Sequence, residues 1–185
     1  MSKRIKIIFI IILLIATKTS LNAQRIALTT NLLEDAILTP NIGVDIVVAD
    51  NQSITFDASC APSKLSQQFY NKCMTFRAGY KYWFNQAFYA HYIGVDAVAN
   101  SSDFKMGNIG SRDEYIALGV GYGYSFILGK RLNLVPSVGV GLAFGQTYDG
   151  YDHMVKPGQG VEAVATRVVK PVVTRLGLTL QYVLK

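Results

Sequence analysis

The stretch Glu114–Gly145 reads EYIALGVGYGYSFILGKRLNLVPSVGVGLAFG, and its alternation decides the fold. Even positions carry the bulk: Ile116, Leu118, Val120, Tyr122, Tyr124, Phe126 and Leu128, then Leu132, Leu134, Val138, Val140, Leu142 and Phe144. Odd positions are nearly all small or polar: Ala117, Gly119, Gly121, Gly123 and Ser125, then Asn133, Ser137, Gly139, Gly141, Ala143 and Gly145. A period of two on both sides of the turn Gly129–Arg131 predicts a β-hairpin with two unlike faces. In a sheet with one face in water, the face away from the core carries Lys, Glu and Thr rather than a column of glycines. Here the large side chains address a bulk apolar medium and the small ones a narrow interior, the arrangement of a transmembrane β-barrel. A soluble eight-stranded barrel of the lipocalin type would need a roomy apolar interior instead.

Outward from the hairpin, the chain parses into eight strands. The first is Arg25–Leu33, followed by a short connection at Glu34–Ala36; the second is Ile37–Ala49 and the third Ser53–Cys60. The fourth is Cys73–Phe84 and the fifth Ala87–Asn100; the hairpin supplies the sixth and seventh, and Val168–Leu184 is the eighth. Connections at Asp50–Gln52, Asn85–Gln86 and Gly129–Arg131 are tight, whereas Ala61–Lys72, Ser101–Asp113 and Gln146–Arg167 are long. Short turns on one side and long loops on the other match an antiparallel up-and-down barrel of the outer-membrane type, with both termini periplasmic. Tyr82, Trp83, Phe84, Phe88 and Phe126 are expected to form its inner aromatic girdle.

The N-terminus reads as an export signal. Lys3, Arg4 and Lys6 precede the apolar run Ile7–Ala16, and Leu21–Ala23 offers a cleavage site, so residues 1–23 are expected to be removed and 24–185 to form one barrel domain. The formal charge of +6 includes four bases of that signal, leaving about +2. No basic cluster with interleaved aromatics remains, which argues against a nucleic-acid partner.

The segment Thr30-Asn31-Leu32-Leu33-Glu34-Asp35-Ala36, with Leu38-Thr39-Pro40-Asn41-Ile42-Gly43-Val44-Asp45, resembles the opening of a Bacteroidota family of small outer-membrane barrels catalogued as a domain of unknown function (number 3575). Arg77 with Tyr80, Tyr82, Trp83 and Phe84, then Gly121–Ser125 and Arg131–Leu134, extend the resemblance over the mature chain. Members are often rich in tryptophan around the third and fourth strands, where this chain has only Trp83. The resemblance implies an outer-membrane location, a loose association with fimbria-type surface structures, and no catalytic residues.

Six charges fall on the inward phase: Asp45, Asp57, Arg77, Lys81 and Arg175, joined by Asp96 if the fifth strand turns its even residues inward and Ile93, Val95 and Ala97 outward. Eight strands enclose little more than their own side chains. Opposite charges there must pair, because an isolated buried ion is costly. The expectation is an ion-pair network that fixes the barrel, with a small gated pore as the alternative. Cys60 and Cys73 flank a connection, and either a disulfide closes it or two free thiols remain. His91 and His153 are the natural places to look for catalysis, but no Gly-x-Ser-x-Gly or other nucleophile signature accompanies them. No catalytic, cofactor or metal residues are expected, and a rim-located lipid-modifying enzyme is the least favoured reading. Tyr148, Tyr151 and His153, in the last long connection, are candidate contacts for a surface or fimbrial partner, with the outer aromatic girdle as the favoured reading of Tyr148 and Tyr151. The other expected partner is outer-membrane lipid.

Overall fold

The computed structural model describes residues 25–61, 69–106, 109–149 and 165–184. Its strands are β1 (Ile26–Asn31), β2 (Asn41–Ala49), β3 (Gln52–Ala61), β4 (Phe69–Trp83), β5 (Ala90–Met106), β6 (Ile109–Ile127), β7 (Leu132–Asp149) and β8 (Ala165–Val183); one short helix, α1 (Leu32–Ala36), follows β1. Each strand pairs antiparallel with the next, and β1 pairs with β8, so the eight make one ring-like sheet. A circuit that leaves Thr29 through Gly43, Asp57 and Arg77 continues along paired residues to Lys170, whereas Thr29 itself pairs with Gln181. The two positions are eleven residues apart on β8, and one of the eleven is taken up by the bulge opposite Gly139 and Val140. A stagger of about ten residues over eight strands, at about 3.3 Å per residue and 4.8 Å between strands, tilts the strands by about 41°.

The faces are inverted relative to a water-soluble core. Ile116, Leu118 and Val120 on β6 are 63%, 61% and 62% exposed, and Val138, Val140, Leu142 and Phe144 continue the apolar surface on β7. Ile93 and Val95 are exposed on β5 while Asp96 is buried, so β5 adopts the phase with its even residues inward. The interior holds Asp45, Ser53, Thr55, Lys81, Asp96, Arg175 and Gln181. Glycine makes that interior possible at particular points. A Cβ on Gly79 would collide with Asp96 and Thr55, and one on Gly123 would fall within 2.6 Å of the Tyr92 hydroxyl.

At the turn end the ring is filled by an apolar cluster of Trp83, Phe88, Tyr92, Ala27, Val47, Ala87 and Val135. Trp83 is fully buried, tilted against Tyr92 with 4.7 Å between ring centroids, and donates from Nε1 to Ser53 Oγ at 3.0 Å. Trp83 and Phe88 are therefore not girdle residues: Trp83 is an odd position on β4 and turns inward with Lys81. The connection between β4 and β5 folds under the ring, with Ala87 N donating to Asp50 O at 2.8 Å. Phe88 and Ala90 have φ of 70° and 59°, costly for residues with a side chain. Ser125 Oγ and Asn133 Nδ2 hold that shape by donating to Phe88 O at 2.8 and 3.2 Å.

Several boundaries differ from the sequence expectation. β1 stops at Asn31, whose side chain caps α1 by accepting from Leu33 N, and β2 begins at Asn41, not Ile37. Pro40 lacks a donor for the ladder, its carbonyl alone accepting from Cys60 N at 3.1 Å, and Leu38 has φ of 58°, so residues 37–39 turn instead of pairing. The expected loop Ser101–Asp113 is largely strand, since β5 and β6 stay paired up to Met106 and Ile109. Tyr148 likewise lies in β7, paired with Arg112 and Ala165, not in a loop. Tyr151, His153 and the expected signal at 1–23 lie outside the described residues.

Candidate functional site in the charged interior

The interior charges sort into two groups. In the first, Lys81 Nζ lies 3.1 and 2.9 Å from the two carboxylate oxygens of Asp45, and Gln181 Nε2 donates to Asp45 Oδ2 at 2.9 Å. Lys81 also sits 5.2 Å above the Tyr92 ring, a cation–π contact that joins it to the apolar cluster below. In the second, Arg175 grips Asp96 with two parallel bonds, Nε to Oδ2 at 3.1 Å and Nη2 to Oδ1 at 2.7 Å, and reaches Asp57 at 3.7 Å. Arg77 pairs with Asp57, donates from Nε to Thr174 O at 3.0 Å, and lies 3.8 Å from Glu34.

The strand register explains the partners. Asp57 and Arg77 are directly opposite on β3 and β4, a short cross-strand pair. Asp45 and Lys81 come from strands separated by β3, and Asp96 and Arg175 from strands separated by β6 and β7, so those bonds span the interior. Arg77 pairs with Asp57, and Asp45 is held by Lys81 and Gln181. Glu34 and Gln181 are members that the sequence reading missed. By sequence Glu34 falls in a connection, yet α1 carries it inward, and its one signal in the sequence is the Asn-x-x-Glu spacing of a capped turn. Gln181 stood on the inward phase of β8 but is uncharged.

Together the groups fill the middle of the ring. A cavity of about 20 Å³ remains between Arg77, Lys81, Arg175 and Glu34, room for about one water. Buried ion pairs of this kind contribute little net stability compared with apolar packing, but removing one partner is strongly destabilising.

Cys60 and Cys73 are both free. They are offset by one residue in the ladder, because Cys60 pairs with Met74 and Ala61 with Cys73. Adjacent strand positions address opposite faces, so Cys60 is exposed on the outer wall while Cys73 Sγ contacts Thr75 and Asn100 at 3.5 Å. Of the two alternatives, this placement fits two free thiols. His91 is also on the outer wall, hydrogen-bonded to the Tyr122 hydroxyl and edge-on to Tyr124. Among the described residues, no group of three or more His, Cys, Asp or Glu side chains could hold a metal ion.

A closed sheet with an apolar exterior and an ion-paired interior defines the class: an all-β protein of eight antiparallel strands in one ring, almost without helix. Within that class, the chain belongs to the family described as Protein of unknown function (DUF3575), whose model matches residues 8–184. No curated protein and no solved structure matches the chain.

Proposed function

We propose that the protein is an outer-membrane β-barrel, with its apolar wall in lipid and both termini on the periplasmic side, that acts without enzymatic activity as a structural anchor or surface-interaction protein. The observation that carries this reading is the inversion of faces. Large apolar residues are exposed on the outside of every strand from β2 to β8, while Asp45, Lys81, Asp96 and Arg175 are buried inside. Water would penalise such a wall, and a bilayer rewards it. The tilt of about 41° and the even strand number fit the same reading. The upper rim, where Arg112, Glu114 and Gln146 make the outward face polar, would meet the cell exterior and its partners, fimbria-type surface proteins among them. The pore alternative is disfavoured because a path through the ring must pass both ion-pair groups and the Trp83 cluster.

Migration on a denaturing gel tests the proposal. Protein refolded in detergent or extracted from outer membranes is expected to run at a different apparent mass before and after boiling. A chain that stays monodisperse in buffer without detergent overturns it.

A further inference from the structure

We infer that the upper edge of β8 is a docking site for an extended peptide, which adds to the ring as a strand; this rests on the barrel reading above. β1 pairs with β8 only from Ala27↔Val183 to Asn31↔Thr179, whereas β8 continues to Ala165. Past Asn31 the chain coils into α1, and the Asn31 side chain satisfies the next two groups of the β8 edge, Leu178 N at 3.1 Å and Leu176 O at 3.1 Å. Beyond those, among the described residues, no strand covers the β1 side of β8.

Alternation identifies the uncovered groups. On the lower part of β8 the outward residues direct their N–H toward β1, as Leu184 N does in donating to Ile26 O. The bulge at Thr174 shifts the phase by one, so the outward residues above it are Val173, Pro171 and Val169, with Arg167 beyond. Pro171 fits this assignment, because its missing N–H falls on the side away from β7 and costs the β7–β8 ladder nothing. Above the bulge it also limits the edge left open among the described residues to the donors of Val173, Val169 and Arg167, with the carbonyls of all four.

Three occupants compete for such an edge. Hydrocarbon cannot satisfy backbone groups. A second copy in the same membrane, related by an axis along the membrane normal, would run its β8 in the same direction and cross the first at about twice the tilt, about 80°, which permits no ladder. An extended peptide meets both requirements, since main-chain bonds supply affinity and alternate side chains supply selectivity. The outward face it would join is apolar at Val173 and Val169, 61% and 64% exposed, and basic at Arg167. The fitting partner is therefore a β-prone segment with apolar residues beside the valines and an acid beside Arg167.

The test uses the full chain in lipid vesicles and a synthetic peptide of alternating threonine and valine with one glutamate. Amide hydrogen exchange at Arg167 and Val169, at the rim end of the edge beside Gln146 and Phe144, is expected to slow by about tenfold or more when the peptide is added. Val169→Pro removes one edge donor without touching the β7 ladder, so it should fold as the parent does and lose most of that protection. No protection in the parent chain, or equal protection in Val169→Pro, overturns the proposal. So does protection of these amides before any peptide is added, which would mean that lipid headgroups or the chain itself covers the edge. Heat-modified migration of the same samples separates failure of this proposal from failure of the barrel reading.

Discussion

Replacing Asp96 by asparagine isolates the value of the interior charges. The substitution keeps the shape of the side chain and leaves its neighbours Gly79 and Gly121 undisturbed, but it removes the anion that Arg175 holds with two bonds of 3.1 and 2.7 Å. Asp57, at 3.7 Å and already paired with Arg77, is the remaining acid near Arg175 Nη2. Asp96 and Arg175 are 5% and 9% exposed, so solvent cannot take over. Breaking a buried pair of this kind costs about 3–5 kcal/mol. Arg112→Gln, which removes the exposed partner of Glu114, is the control and should cost at most about 1 kcal/mol. Urea unfolding in vesicles reads both, with the fluorescence of Trp83, the single tryptophan, as the signal. The double variant Asp96→Asn with Arg175→Met should be no less stable than Asp96→Asn alone, because the orphaned cation is gone. If Asp96→Asn costs no more than Arg112→Gln, the interior is wet and the pairing argument fails.

Other outcomes follow from the same geometry. Gly141→Ala would set a Cβ 2.6 Å from Gly119 Cα and closer still to Leu118 O, so it should lower the urea midpoint clearly, whereas Gly129→Ala, with nothing within 4 Å, should leave it unchanged. Ser53→Ala leaves the buried Trp83 Nε1 without its acceptor and should cost about 1–3 kcal/mol in the same titration. Alkylation of the unreduced, unfolded protein followed by mass spectrometry should find two labelled cysteines, because Cys60 and Cys73 occupy opposite faces; a protein that takes up label only after reduction contradicts that placement.

The alternation in Glu114–Gly145 was enough to assign strands and faces, because a two-residue period leaves no freedom once one face is apolar. The same logic placed Asp45, Asp57, Arg77, Lys81, Asp96 and Arg175 inside. It could not assign partners, since those depend on the stagger of the whole ring, which shows only in the paired residues. The break at Asn31 was hidden because Leu32, Leu33, Ile37 and Leu38 read as strand by composition, while capping by Asn31 and the donor lost at Pro40 stop the ladder. Trp83 and Phe88 were misplaced for a different reason. Aromatic residues near a strand end look alike whether they face lipid or close the end, and only the inward phase of Trp83 and the turn folded beneath the ring tell the two apart.

Spin labels on the outer wall report whether it faces lipid. Cysteines introduced one at a time at Leu118 and Val140, in a chain lacking Cys60 and Cys73, would be labelled and studied in vesicles by power-saturation spectroscopy. Both labels are predicted to be relaxed strongly by dissolved oxygen and weakly by a water-soluble nickel chelate. Strong relaxation by the chelate at both sites would place the wall in water and contradict the account.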